Sequence, residues 1–144
     1  MIQRIQSIYL LLVSLLSGGL IFILEFWEDS AGKTWTVLEL FSEKSLILNS
    51  ISASFWSIAL LAMISLFSFK NRTTQININR INIIINFILL GILVYLLLNL
   101  SGEMQISKKG IGSFLPLASI VLLVLANRAI QKDEALVKSV DRLR

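Results

Sequence analysis

The sequence predicts an all-α membrane protein, a bundle of four transmembrane helices. Three observations carry this. The chain of 144 residues is 56% hydrophobic and only 15% charged. Four long stretches contain no charged residue, and the basic residues flank them unevenly. Soluble domains are roughly a quarter charged. A soluble chain this apolar has too little polar surface to cover its core, whereas lipid solvates an apolar exterior. The length fits a single domain covering residues 1–144.

The spans are read from the charges. An ionised side chain at the bilayer centre costs about 2.5–3.5 kcal/mol on insertion scales, so charge-free runs mark the crossings. Arg4 and Glu25 bracket 20 uncharged residues, Lys44 and Lys70 bracket 25, Arg80 and Glu103 bracket 22, and Lys109 and Arg128 bracket 18. A helix crosses a core about 30 Å thick with about 20 residues. The spans are therefore expected at about residues 5–25, 46–69, 80–101 and 110–127. The first stretch is too long for a signal-peptide core, no small-x-small site follows it, and it is expected to stay as a span.

Orientation follows from Lys and Arg. Four spans put both ends on one side. That side holds Arg4, Lys70, Arg72, Arg80, Arg128, Lys132, Lys138, Arg142 and Arg144. The other holds Lys33, Lys44, Lys108 and Lys109, together with six of the nine acids. Both termini are expected on the cytoplasmic side of a multi-pass membrane protein. Trp27, Trp56 and Tyr95 then lie towards the outer interface and Tyr9 towards the inner one, as aromatic belts require.

The first outer loop, residues 26–45, carries a turn signal at Asp29-Ser30-Ala31-Gly32 and a β-prone run at Thr34–Leu38, which leaves room for a short β-hairpin. It either caps the bundle or offers a docking surface on Trp35 and Phe41. The second outer loop is residues 102–109, and the inner loop is residues 70–79. The Asn-rich stretch Ile76–Asn82 alternates like a strand, but it runs straight into the third span and reads as a polar helix start. The tail, residues 128–144, continues the fourth span as a helix. It either ends in solvent or lies on anionic lipid or a partner. Arg4, Lys70, Arg72, Arg80, Arg128, Lys132 and Arg142 are the candidate contacts there.

Polar residues inside the spans fall in stripes. Ser50, Ser54, Ser57, Ser65 and Ser68 share one side of span two, Asn79, Asn82 and Asn86 one side of span three, and Ser7, Ser14 and Gly18 one side of span one. An amide left unpaired in hydrocarbon is costly, so each stripe is expected to face protein. Two readings stand: helix packing, or a polar path or ligand pocket. Pro116, after Gly110 and Gly112, is expected to kink span four near its outer end.

Several chemistries are missing. Without His or Cys there is no Ser–His or Cys–His nucleophile pair and no ordinary zinc site. No phosphate-binding glycine loop occurs. No Asp, Glu, Lys, Arg or His lies within a charge-free span core, where proton relays and ion-coupled carriers place such groups. The net charge of +4 is scattered around apolar segments rather than gathered for nucleic acid. The expectation is a protein that is not an enzyme, holds no cofactor or metal and binds no nucleic acid.

Met1-Ile2-Gln3-Arg4-Ile5-Gln6, Lys70-Asn71-Arg72, Gly110-Ile111-Gly112 with Phe114-Leu115-Pro116, and Arg128–Val137 through Asp141-Arg142 carry a resemblance over the whole chain. The sequence resembles an uncharacterised bacterial inner-membrane family, the domain of unknown function 4293. The resemblance implies four spans with an uncleaved first helix, and brings no activity and no functional residue. The expected role is an accessory or assembly subunit of a larger membrane complex, partnered by lipid and by other subunits or further copies. The alternative is a small oligomeric channel or carrier lined by the Ser and Asn faces.

Overall fold

The computed structural model describes residues 3–29, 32–42, 45–99 and 106–141. Five α-helices and three strands follow one another: α1 (Gln3–Gly18), β1 (Trp27–Asp29), β2 (Thr34–Trp35), α2 (Val37–Ser42), α3 (Leu46–Phe67), α4 (Arg72–Asn99), β3 (Ile106–Lys109) and α5 (Leu115–Asp141). Short 3₁₀ turns at Leu20–Phe22 and Ile111–Phe114 extend α1 and precede α5. Four helical segments are long and apolar enough to cross a membrane, beginning at Ile5, Leu46, Arg72 and Ile111. The chain is thus a multi-pass membrane protein.

The principal packing partners of α1 are α3 and α5, and α4 packs on the same two helices. The four helices therefore form a ring in which α1 and α4 are diagonal. The start of α1, the end of α5 and the α3–α4 turn lie at one end, called here the terminal end. The strands lie at the other, the sheet end. On α1 the core positions are Gln6, Leu10, Val13, Ser17 and Ile21, spaced four and three apart, as a left-handed bundle seam requires. The seam of α3 runs through Ile51, Phe55, Ile58, Ala62 and Ser65 at the same spacing. A Cβ on Gly18 would lie 3.2 Å from Ala59 Cβ, so small residues set how closely α1 and α3 approach.

At the sheet end β1 is central, with β2 and β3 antiparallel on either side. The hairpin of β1 and β2 agrees with the expectation from residues 26–45. The third strand comes from the second outer loop, where no strand was expected. Its register sets Lys109 across from Trp27 and Lys108 across from Glu28. Phe26, Trp27, Trp35, Val37 and Leu40 are buried beneath and beside this sheet. Phe26 meets Phe55 of α3 with ring centroids 5.4 Å apart, and Trp27 stacks on Trp35 at 6.2 Å. The first outer loop is a packed cap. Trp35 is buried, while Phe41 is exposed.

The short helix α2 was not anticipated. Glu39 supplies one half of a capping box at its start, reaching back to Thr36: the Thr36 backbone N–H donates to Glu39 Oε2 at 2.7 Å and the Thr36 hydroxyl to the same oxygen at 3.2 Å. Ser52 Oγ of α3 then donates to the Val37 carbonyl at 3.0 Å and ties the helix to the bundle. Replacing Glu39 by Leu is expected to loosen α2 by about 1 kcal/mol, read as faster amide exchange at Leu40 and Phe41 with no change in the spans.

Two boundaries differ from the sequence reading. Helix α4 starts at Arg72, so residues 72–75 of the expected inner loop are already helical ahead of the polar helix start read at Ile76, and only a tight turn joins α3 to α4. Its backbone bonds run Ser68 N–H to Ile64 O at 3.0 Å and Asn71 N–H to Ser68 O at 3.1 Å. Pro116 does not kink a span. It is the second residue of α5, in the first turn, where a backbone N–H has no helical acceptor and its loss costs nothing. Gly110 and Gly112 are likewise not a loose start. Their N–H groups donate to Phe26 O at 2.8 Å and Glu25 O at 2.9 Å, and Ser113 Oγ donates to Phe26 O at 2.9 Å. These bonds strap the start of α5 to the end of the first span.

Candidate functional site

The buried amides of the core gather towards the terminal end. Along α4 the core positions are Gln75, Asn79, Asn82, Asn86, Leu89, Leu93 and Leu96, alternately four and three apart and all buried. The first four are amides and the last three are leucines. One helix face therefore changes from polar to apolar along its length. Opposite it, α1 buries Gln6 at its terminal end and Val13 further up. Asn127 of α5 and Ser65 of α3 complete the group.

Hydrogen bonds join these residues across three helices. Ser65 Oγ donates to Asn79 Oδ1 at 2.6 Å, and Asn79 Nδ2 donates to Asn127 Oδ1 at 2.9 Å. Asn79 is thus the hinge of a bonded chain from α3 through α4 to α5. Asn82 Nδ2 donates to the Ile58 carbonyl of α3 at 3.1 Å. Asn86 Nδ2 turns back along its own helix, to Asn82 O at 2.9 Å and Asn82 Oδ1 at 3.1 Å. Higher up, the Ser17 and Ser119 hydroxyls of α1 and α5 lie 3.4 Å apart. Between helices in a bilayer, apolar packing gains little over lipid contact. Cross-helix bonds and close backbone approach are what distinguish one helix arrangement from another.

The structure sorts the expected site residues. Asn79, Asn82, Asn86 and Ser65 come together. Ser54 and Ser57 do not join them. Their hydroxyls donate to Ser50 O at 2.7 Å and Ala53 O at 2.8 Å, inside their own helix. Such back-bonding satisfies a serine without a partner helix, so a serine can face lipid. Ser50 and Ser14 behave the same way, bonding Ile47 O and Leu11 O. Of the expected α1 stripe, Gly18 packs against Ala59 of α3, while the buried serine of α1 is Ser17 rather than Ser7 or Ser14. Pro116 is buried at the start of α5, away from the amides.

Sequence reasoning missed Gln6, Gln75, Asn127, Ser17 and Ser119. Gln75 was legible: the spacing of Asn79, Asn82 and Asn86, continued one step back, falls on it. Gln6 and Asn127 stand next to charges, at Arg4 and Arg128, which placed them at a span edge and hid their burial.

Among the candidate surface contacts, Arg72 at the first residue of α4 reaches Asp133 Oδ2 of α5 at 2.9 Å. Glu134 pairs with Lys138 at 2.7 Å, as the spacing of four predicts. Lys70, Arg80, Arg128 and Lys132 are exposed. The Arg4 side chain and Arg142 lie outside the described residues. Lys70, Asn71, Arg72, Thr73, Thr74 and Glu134 line an open polar cavity of about 490 Å³ at the terminal end. Among the described residues no group of three acids is placed to hold a metal ion.

A family model described as Domain of unknown function (DUF4293) matches residues 2–143. No curated protein and no solved structure matches the chain.

Proposed function

We propose, for a chain that belongs to the DUF4293 family over nearly its whole length, that it serves as a non-enzymatic accessory or assembly subunit of a larger complex in the bacterial inner membrane, with both termini cytoplasmic. The observation that carries this reading is the length of α5. Arg72, where α4 begins, pairs with Asp133, yet α5 runs on to Asp141. Residues 135–141 thus extend beyond the start of α4 by about 10 Å, at about 1.5 Å per residue. On this projection Leu136 and Val137 are 48% and 46% exposed, beside Lys138. An apolar pair set among charges, outside the bundle, suits contact with a partner subunit.

The remaining features support the same role. In the sequence, nine of the thirteen basic residues flank the spans on the side of the termini and the α3–α4 turn, which favours that side as the cytoplasmic one. With no His and no Cys, the usual nucleophile pairs and soft metal ligands are missing. The core amides bond one another, as packing elements do.

The test is purification from native membranes in mild detergent, with chemical crosslinking in cells, of the wild-type chain and of a Leu136→Asp/Val137→Asp variant. The expected result is a stoichiometric membrane-protein partner that accompanies the wild type and is lost from the variant. A chain that purifies alone and crosslinks to nothing overturns the reading. Solute flux into liposomes holding only the pure protein would favour the alternative, a small oligomeric channel or carrier.

A further inference from the structure

The seam between α4 and α5 carries an open-sided apolar cavity of about 250 Å³, lined among others by Leu90, Val94 and Leu97 of α4 and by Phe114 and Leu117 of α5. From it, two rows of side chains run towards the terminal end at helical spacings of three and four. The α4 row is Leu90, Phe87, Ile83 and Arg80, and the α5 row is Leu117, Val121, Val124 and Arg128. Every member is exposed or half-buried, so both rows border the outer side of the same seam. Both are apolar until each ends in an arginine.

The two arginines stand at one level. Arg80 follows Asn79, Arg128 follows Asn127, and those two amides bond at 2.9 Å. Among the described residues neither guanidinium has an ion-pair partner, and Asp133 and Glu134 of α5 are taken by Arg72 and Lys138. The pair also lies within the apolar belt. Ser65 of α3 bonds Asn79 and so shares its level. Phe67 lies two residues nearer the terminal end, about 3 Å along the axis, and is 67% exposed. Hydrocarbon that covers Phe67 on the α3 side therefore reaches past Arg80 and Arg128 on the α4–α5 side. A charge at that depth needs a counter-charge or a route to water.

We propose that the α4–α5 seam binds one anionic phospholipid from the leaflet at the terminal end. Arg80 and Arg128 hold its phosphate, and one acyl chain lies along the two rows into the cavity between Leu90 and Leu117. Guanidinium groups match phosphate oxygens with paired N–H donors. Two positive charges with no acid paired to either favour a headgroup of net negative charge over a zwitterionic one. The length agrees. Arg80 and Leu90 are ten positions apart, about 15 Å of helix. One leaflet of a hydrocarbon core about 30 Å thick is also about 15 Å deep. The end of the chain thus arrives where the cavity opens. The site is separate from the partner contact at Leu136 and Val137, which lies beyond the Arg72–Asp133 pair.

The test uses the full chain, purified in mild detergent and stripped of lipid. Phosphatidylglycerol, phosphatidylcholine or inorganic phosphate is then added back. Phosphatidylglycerol is expected to raise the thermal midpoint by several degrees, as a ligand of the folded state does, and to leave a one-lipid adduct in native mass spectrometry. Phosphatidylcholine and inorganic phosphate are expected to do neither. The adduct is expected to fall several-fold in Arg80→Gln/Arg128→Gln. It is also expected to fall in Leu117→Trp, which narrows the cavity and keeps both charges. Equal shifts with phosphatidylcholine or with inorganic phosphate overturn the proposal, as does an adduct undiminished in the arginine variant or in Leu117→Trp. Loss of a co-purified membrane protein from the arginine variant, with its lipid adduct intact, also overturns it and assigns the pair to a partner's acidic side chain.

Discussion

Asn79→Leu is expected to destabilise the bundle more than any other single substitution among the core amides. Asn79 is both acceptor and donor: it takes the Ser65 hydroxyl and gives to Asn127. Leucine matches asparagine in its number of side-chain heavy atoms, but its methyl groups are bulkier, so some overpacking adds to the chemical loss. It strands a hydroxyl on α3 and an amide carbonyl on α5, all of them buried. Each stranded group costs about 1–3 kcal/mol in a dry core. Measured side-chain bonds between membrane helices are weaker, averaging about 0.6 kcal/mol, because the loosened chain also finds partners. A net loss of about 2 kcal/mol lies between these limits. Reversible unfolding in mixed detergent micelles would read it. The triple variant Ser65→Ala/Asn79→Leu/Asn127→Leu removes every stranded group and is expected to recover most of the loss. Failure of the triple variant to recover would mean that the amides act through packing shape rather than through their bonds. A double-mutant cycle of Asn79 and Asn127 is expected to show coupling of about 1 kcal/mol.

Gly110→Ala is expected to be as damaging for a wholly different reason. Gly110 has φ −83° and ψ 159°, an extended conformation that alanine adopts freely. No backbone strain enters. A Cβ there would, however, overlap the Glu25 carbonyl, with the Phe26 carbonyl carbon only 2.9 Å away. Both obstacles are backbone atoms, which cannot swing aside as a side chain end does. They belong to the strap in which Gly110 N–H meets Phe26 O and Gly112 N–H meets Glu25 O. Making room breaks the strap, and with it the pairing of β1 with β3. Overpacking of this kind costs about 1–3 kcal/mol, and the upper end is expected here. Thermal unfolding in detergent, followed by Trp27 and Trp35 fluorescence, would show it as a lower midpoint. Gly91→Ala is the matched control. Gly91 lies on the exposed side of α4 with nothing within 4 Å of an added Cβ. It is expected to be neutral or slightly stabilising, since alanine is the better helix former. Equal effects at both positions would remove the strap argument.

The two substitutions mark what a reader of the sequence sees and what escapes. The amide face was visible because asparagine is unusual in a span and because Asn79, Asn82 and Asn86 repeat at helical spacing. Its direction followed from cost: a side-chain amide has both a donor and an acceptor to satisfy, and a bond back to its own helix, such as Asn86 makes to Asn82, serves only one of them. The serines misled for the converse reason. Ser54 and Ser57 satisfy themselves on the preceding turn, so their polarity says nothing about which side faces protein. The glycines misled too. Gly110 and Gly112 read as loose chain, because glycine marks both flexibility and close approach, and only the neighbour's position tells them apart.

The sequence by itself determined the number of crossings, their approximate bounds, and the amide face of the third. These follow from one-body terms. The cost of a charge or a bare amide in hydrocarbon belongs to the residue, whatever its neighbours are. The tertiary structure decided everything that needs two distant segments to meet. It set the ring order of the helices, the third strand drawn from residues 106–109, the recruitment of Gln6 and Asn127 into the core, and the strap that fixes the start of α5. Asn127 lies 48 positions from Asn79, and the Ser113 hydroxyl reaches Phe26 across 87. Local spacing carries no trace of such pairs. All four helices are apolar enough for lipid to wet them, so hydropathy does not choose their neighbours. Only hydrogen bonds and close contacts between particular residues choose the arrangement, and those exist only after the chain has folded.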